Sequence, residues 1–392
     1  MDANFCDKFA IVGLGVMNKR MPGYSARAFQ AEAARLAIKD AGLKKEEIDV
    51  CINAQVQGPF HVNDWTDGYS RVLGIPAKAY FSISRGASAV VLSIIMGAKL
   101  LELGIARNVL VAMGCNDWSK ARSKQTTETR HPKLGLWGES LGELSGASYH
   151  SMLASRHMHE YGTTSQQLAA VAIAARQWAC LNPDAQLYGR PITMEDYERS
   201  QIVCWPFRAL DCCVVSDGGS AFIMTTAERA ADTRKPPIYI MGVGLGDQAG
   251  EMWWDKTNYT ALAVAPAKED VFRQAGIELA DIDLAQLYDC FTSEVIVQLE
   301  DYGWCAKGEG GAFVEAGNIA PGGLLPVNTG GGEMASHHHA DFTGLAEAVI
   351  QLRGEAGARQ VQDAEICMAT GAGGELLSPG MCAIHSSVIL RR

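Results

Sequence analysis

The stretch Asp40-Ala-Gly-Leu-Lys-Lys-Glu-Glu-Ile-Asp-Val50 returns later in the chain as Gln274-Ala-Gly-Ile-Glu-Leu-Ala-Asp-Ile-Asp-Leu284. Each copy reads as a helix end stopped by glycine, a short connection and the entry to a buried strand. The segments that close the two halves agree as well: Asn108-Val-Leu-Val-Ala-Met-Gly114 is matched by Glu365-Ile-Cys-Met-Ala-Thr-Gly371. This echo predicts a duplicated α/β architecture in which two similar layered halves meet at a shared site. The halves are expected at residues 1–233 and 234–392, with Lys235-Pro236-Pro237 at the crossing.

Around the echo, Phe9 to Gly15 reads as a strand, and Ser25 as the cap of a helix ending at Ala41. Val50 to Ala54 is the next strand. Gly86 to Leu103 is a helix apolar almost all round, which predicts burial between layers. Val109 to Met113 follows as a strand. From about 115 to 208 the chain turns richer in polar residues, His, Trp and Pro, with a helix over Ser165–Ala179. It is expected to be a loop excursion that shapes a substrate site or an interface. A strand follows Asp217-Gly-Gly-Ser-Ala221. The second half predicts a strand from Ile238, a helix over Pro266–Ala275, a strand over Leu284–Leu287 and a helix over Thr292–Tyr302. A glycine-rich loop from Gly308 to Gly332, a helix over Gly344–Leu352 and strands near Ile366–Thr370 and Cys382–Leu390 complete it.

Composition narrows the classes of function. The chain has 392 residues, 48% hydrophobic and 20% charged, as a globular protein with a substantial core requires. A net charge of -10 with no basic stripe argues against nucleic acid. The eleven cysteines form no CxxC pair and read as small buried hydrophobes of an intracellular protein. The N-terminus carries no secretory signal, and no apolar run reaches the ~20 residues that span a bilayer, so a cytoplasmic, membrane-free protein is expected.

The doubled order of elements, together with Leu210-Asp-Cys-Cys-Val-Val-Ser-Asp-Gly-Gly219, Leu287-Tyr-Asp-Cys-Phe-Thr292, Lys307-Gly-Glu-Gly-Gly-Ala-Phe-Val314, Pro326-Val-Asn-Thr-Gly-Gly-Gly332 and Gly371-Ala-Gly-Gly374, resembles the thiolase fold over nearly the whole chain. The likeness is to the sterol-carrier-type thiolases and their lipid-transfer-like relatives. It implies duplicated βαβαβαββ halves packed as five layers, αβαβα. In such thiolases a cysteine at the start of the buried first-half helix accepts the acyl group, because a helix N-terminus stabilises a thiolate. Here Ser82-Ile-Ser-Arg-Gly-Ala-Ser88 puts Ile83 at that position, and no cysteine lies between Cys51 and Cys115. The family's proton-shuttling cysteine falls on Ala369. Cys367 lies two residues earlier, on the same strand face but displaced by roughly 6–7 Å.

Two family positions stay polar. Tyr288 stands where the family has Asn or His, and His338 of His337-His338-His339 stands at the family histidine. In thiolases these positions form the oxyanion hole for the thioester oxygen, and donors placed where enolate charge develops lower a barrier by several kcal/mol. The pattern resembles the steroid side-chain aldolases, which cleave a β-hydroxyacyl-CoA by a retro-aldol step and carry tyrosine at the position of Tyr288. They carry a second tyrosine near the place of His338, so this chain departs from them there. Such a reaction needs no acyl-enzyme, only a base at the β-hydroxyl and donors at the thioester oxygen. Tyr288 is assigned the β-hydroxyl, and His338 the enolate oxygen and the proton return to Cα; the reverse assignment stays open.

Gly371, Gly373 and Gly374 are expected to let backbone approach the substrate as a second oxyanion site. CoA is expected as part of the substrate, with no bound cofactor. No metal is expected, since consecutive histidines on an extended segment alternate faces. The resemblance further implies a homodimer, an OB-fold zinc-ribbon partner and an associated hydratase. Trp253-Trp254 is a candidate pocket wall. Other readings remain: Tyr288 as a core tyrosine, the histidines as a solvated loop, a thiolase-like acyltransferase, or a non-catalytic acyl-CoA- or lipid-binding subunit.

Overall fold

Side chains alternate across a strand, and Phe9–Asn18 (β1) uses the alternation to serve two cores. Ala10 and Val12 face one side, where Ala33, Ala34 and Ala37 of the helix Ala26–Ala41 (α1) pack; Ile11 faces the other, against Val90 and Ile94 of the helix Ala89–Glu102 (α2). The computed structural model describes residues 5–55, 68–122, 146–247, 258–373 and 384–392. The other long elements of the excursion are Gly146–Tyr161 (α3) and Ser165–Cys180 (α4). The second half adds Val264–Ala275 (α5), Thr292–Tyr302 (α6), Gly310–Glu315 (α7) and Asp341–Leu352 (α8).

The strands β1, Val50–Gln55 (β2), Ala79–Ser84 (β3), Val109–Asn116 (β4), Asp217–Thr226 (β5), Ile238–Asp247 (β6), Leu284–Gln286 (β7), Ile366–Gly373 (β8) and Ile384–Arg391 (β9) form one sheet. Their order is β3-β2-β4-β5-β1-β6-β9-β8-β7. The halves join through β1 and β6 by only two antiparallel pairs, Ala10 with Tyr239 and Ile11 with Ile238. On either side of that seam the order is mirrored. β2 and β4 pair in parallel, as do β7 and β8, while the remaining neighbours of each half out to the seam are antiparallel. The second-half counterpart of β3 shrinks to a single bridge between Ala285 and Val327.

The repeated sequence has a repeated physical job. Gly42 and Gly276 stop α1 and α5 in the left-handed conformation, with φ of 73° and 69°. The carboxylates of Glu47 and Asp281 each accept the backbone N–H three residues back, both at 2.8 Å. The carboxylate of Asp49 accepts the N–H of Arg107 at 2.8 Å as β4 begins, and that of Asp283 accepts the N–H of Glu365 at 2.8 Å as β8 begins.

The layers read α1, first-half strands, α2 with α8, second-half strands, α5. One hydrophobic cluster runs through the middle and draws on both halves: Ile52, Val111 and Phe222 from one, Phe342, Leu345 and Val388 from the other, with Ile94 between. Several boundaries differ from expectation. α2 begins at Ala89, because Gly86 takes a φ of 56° and Ser88 becomes the N-cap. α8 begins at Asp341, three residues earlier than its glycine suggested, and the Gly308–Gly332 loop contains α7. Trp253-Trp254, Gly374 and Cys382 lie outside the described residues.

The outer helices lie unusually close to their strands. A Cβ at Gly13 or Gly15 would stand 2.4 or 2.1 Å from the carbonyls of Ala37 and Ala33. At Gly242, Gly244 and Gly246 it would stand 2.4, 1.9 and 1.8 Å from those of Val271, Ala267 and Ala263. Two strand residues advance about 6.6 Å and four helix residues about 6 Å, so each glycine meets its own turn. Gly244→Ala is therefore expected to lose about 3 kcal/mol in urea denaturation, whereas Gly146→Ala, whose Cβ would meet only Phe291 at 3.9 Å, leaves the midpoint near wild type. Equal midpoints for the two variants would contradict this account.

Candidate active site

The site is built where the two halves touch across the start of α2. The N–H of Ala87 donates to the carbonyl of Ala372 on β8 at 3.1 Å. Gly371 permits the approach, since a Cβ there would stand 1.8 Å from the Ala87 carbonyl and 2.8 Å from Asp341 Cβ. The space that Gly371 leaves open is thus filled by the protein's own backbone, where sequence reasoning expected substrate. Asp341, the first residue of α8, reaches across and accepts the N–H of Val90 on its Oδ2 at 2.8 Å. Ser88, the N-cap, makes no side-chain capping bond, and its hydroxyl is buried without a partner. Ile83 sits on β3, paired with Ala54 and packed against the inner core, six residues ahead of the helix.

Tyr288 is held at the same seam. Its N–H donates to Thr370 Oγ1 at 2.9 Å, and Gln298 Nε2 donates to its carbonyl at 2.7 Å. Thr370 Oγ1 in turn donates to Gln298 Oε1 at 2.6 Å, which closes the frame. The Tyr288 side chain, only 8% exposed, packs among Ala87, Ala340 and Ala372. Its neighbour Asp289 is buried and accepts the N–H of Glu333 at 2.7 Å. Burial pushes the Asp289 carboxyl up to about 7.

That bond fixes a wide helical turn over Gly332–Ser336, after which the three histidines run extended. Alternation then sorts them. His337 and His339 are buried with ring centroids 4.5 Å apart, bonded to Ser336 Oγ and Ser220 Oγ respectively, both at 2.9 Å. Burial lowers His337 to about 4 and holds His339 well below its ordinary value, so both are neutral at physiological pH. His338 points the other way, with 27% of its side chain exposed. Its N–H donates to Ser216 Oγ at 3.0 Å, and its Nε2 lies 3.5 Å from Glu333 Oε2. Tyr288 and His338 are therefore linked through the pair Asp289 and Glu333. Among the described residues no group of three or more His, Cys, Asp or Glu is placed to hold a metal ion.

Cys290 and Cys367 are buried and Cys115 is partly buried. Burial pushes the thiols of Cys367 and Cys115 far up, as it must for a charge without compensating partners. Cys290, two residues beyond Tyr288, has its Sγ 4.0 Å from His150 Nε2, and His150 Nδ1 lies 2.6 Å from Glu294 Oε1. His150 is thus a buried partner of a buried carboxylate. Asp341 was missed, because an acidic residue at a helix start reads as a local cap, and its target lies 251 residues away.

A cavity of about 360 Å³ opens beside this seam, with Tyr288, Glu333, His337, Asp341 and Thr370 among its walls; His338, facing away from His337, is not one of its lining residues. Burial pushes the Asp341 carboxyl up to about 8, against about 3.9 in an unfolded chain. Between those values the native state keeps a proton that the unfolded state has lost, so this group costs stability as pH rises through the window. Asp341→Asn retains an acceptor for Val90 and lacks the titration. Its melting temperature should match wild type near pH 4 and exceed it by a margin that grows up to about pH 8. A margin independent of pH would contradict the burial argument.

Both halves of the chain match known proteins. Family models match residues 12–228 as the thiolase N-terminal domain and 248–390 as a thiolase C-terminal domain-like region. The chain is 34% identical over 359 residues to the steroid side-chain-cleaving aldolase of Thermomonospora curvata, covering 88% of this chain and 90% of that protein. It is 33% identical over 361 residues to the 17-hydroxy-3-oxo-4-pregnene-20-carboxyl-CoA lyase of Mycobacterium tuberculosis, covering 88% and 91%. Among solved structures, the Ltp2-ChsH2(DUF35) aldolase superposes with a TM-score of 0.87 at 30% identity, over 99% of this chain and 98% of that one. With both halves matched in sequence and in fold, the chain belongs to the thiolase family.

Proposed function

We propose that this protein is a carbon–carbon lyase that cleaves a β-hydroxyacyl-CoA by a retro-aldol reaction, giving a ketone or aldehyde and a shortened acyl-CoA. The observation that carries this reading is what stands at the mouth of α2: the carboxyl of Asp341 and the hydroxyl of Ser88. Acyl transfer needs a thiolate there; retro-aldol cleavage does not. The names of the relatives at 33–34% identity point the same way. Steroid side chains are the first substrate class to test.

In this reaction the β-hydroxyl loses its proton, the Cα–Cβ electron pair moves into the thioester as an enolate, and the Cβ–O bond becomes a carbonyl. Tyr288, as its phenolate, takes the hydroxyl proton and becomes the phenol; with an ordinary value of about 10 it needs a cation or hydrogen-bond donor beside it to serve as this base. His338 donates to the enolate oxygen, with Glu333 Oε2 3.5 Å from its Nε2. CoA enters as part of the substrate. An OB-fold zinc-ribbon subunit is the expected partner, in keeping with the DUF35 component named in the solved aldolase, and a hydratase would supply the hydroxyacyl substrate. A homodimer is expected, and β3, which pairs with β2 alone at the end of the described sheet, offers an edge for it. No described helix is long and apolar enough to cross a membrane, in keeping with a cytoplasmic enzyme.

The test is turnover of 3-hydroxyacyl-CoAs of graded bulk, with and without the zinc-ribbon subunit, following carbonyl release and shortened acyl-CoA together. Tyr288→Phe and His338→Ala should each lower kcat by about 100-fold or more while acyl-CoA affinity is kept. Unchanged turnover in both variants would favour a binding subunit. A stable acetyl adduct on Cys290 or Cys367 after mixing with acetyl-CoA would favour acyl transfer.

A further inference from the structure

We propose that Asp341 is a further catalytic residue, the acid that delivers the proton to Cα of the thioester enolate. The inference rests on the lyase reading and reassigns one of its protons: the return to Cα, given to His338 from the sequence, passes to Asp341, while Tyr288 collects the proton of the β-hydroxyl and His338 keeps the enolate oxygen. Asp341 shares a cavity wall with Tyr288 and Thr370, and its Cβ lies against Gly371 at the seam of the two halves.

The bland alternative is that Asp341 only caps α2. Three observations count against it. Ser88 already occupies the N-cap with an unused hydroxyl, so a local neutral cap was at hand. Asp341 Oδ2 makes the bond to Val90, whereas Oδ1 is buried with no hydrogen-bond partner. A buried oxygen without a partner costs about 1–3 kcal/mol, and a substrate group arriving in the cavity would relieve that cost. Ala340, immediately before it, holds φ at 51° and ψ at -145°, a conformation alanine rarely adopts, and such strain costs of order 1–3 kcal/mol. A cap for α2 requires neither cost.

Burial supports the assignment, since a carboxyl pushed up to about 8 is protonated at neutral pH and can act as an acid. The neighbouring His337, held near 4, cannot. The step balances. The O–H bond of Asp341 breaks as the Cα–H bond forms, leaving a carboxylate; before the next turnover Asp341 takes a proton from solvent and the Tyr288 phenol gives one up to solvent, so the net proton count is unchanged.

The proton transfer to carbon can be watched alone, as exchange of Cα hydrogens of acetyl-CoA and propionyl-CoA in D2O, followed by mass spectrometry on the full chain with its partner subunit. Wild type should exchange. Asp341→Asn, which keeps an acceptor for Val90, should exchange about 100-fold more slowly with unchanged acyl-CoA binding, and Asp341→Glu should recover part of the loss. Exchange at the wild-type rate in Asp341→Asn, or no exchange in wild type, overturns the assignment. Wild type that exchanges but cleaves no 3-hydroxyacyl-CoA removes the lyase reading and leaves Asp341 as a Cα acid–base group.

Discussion

Among the polar contacts that join the two halves, the one at the mouth of the buried helix is the carboxyl of Asp341, at the head of α8, on the N–H of Val90 in the first turn of α2. It ties the two helices of the middle layer end to end. The Ala87 to Ala372 bond beside it ties the mouth of α2 to β8. By contrast, the sheet itself crosses between halves by two residue pairs. The shared core of Ile94, Phe222, Phe342 and Val388 supplies the cohesion, but apolar packing is not directional. The two polar contacts at the mouth of α2 set the geometry, and this is where Tyr288 is held.

Charge at the seam is managed by burial. His337 and His339 are stacked and neutral, so they fix the segment without competing for protons. Asp289 and Asp341 are driven toward their protonated forms, by burial in both cases. His338 alone of the triplet faces outward, against the carboxylate of Glu333. Groups whose environments push their proton affinities in opposite directions are those that can divide acid and base work.

The fold was legible because its signals are local and doubled. Gly42 and Gly276 stop helices, Asp49 and Asp283 begin strands, and Thr292–Tyr302 falls where its apolar spacing put it. The site was legible only in part. Tyr288 and His338 stand in segments with a family signature, whereas Asp341 acts on a backbone group in the other half of the chain. Nothing in Ala340-Asp341-Phe342 tells a reader that its carboxylate leaves its own helix. Gly371 was legible as a close approach, but the sequence leaves open which atom fills the place of its side chain, and this is the Ala87 carbonyl.

Exchange of a thiolate for a carboxyl at the mouth of α2 changes which reactions the site can support. A thiolate attacks carbon, and the fold then needs a route for the acyl group to leave the protein again. A buried carboxyl is a poor nucleophile while protonated, but it gives and takes protons near neutral pH. The oxyanion donors serve either chemistry, since both pass through negative charge on a thioester oxygen. Under the proposed lyase reading, the same framework would serve cleavage in place of transfer without a new fold, through the identity of the group at one helix end.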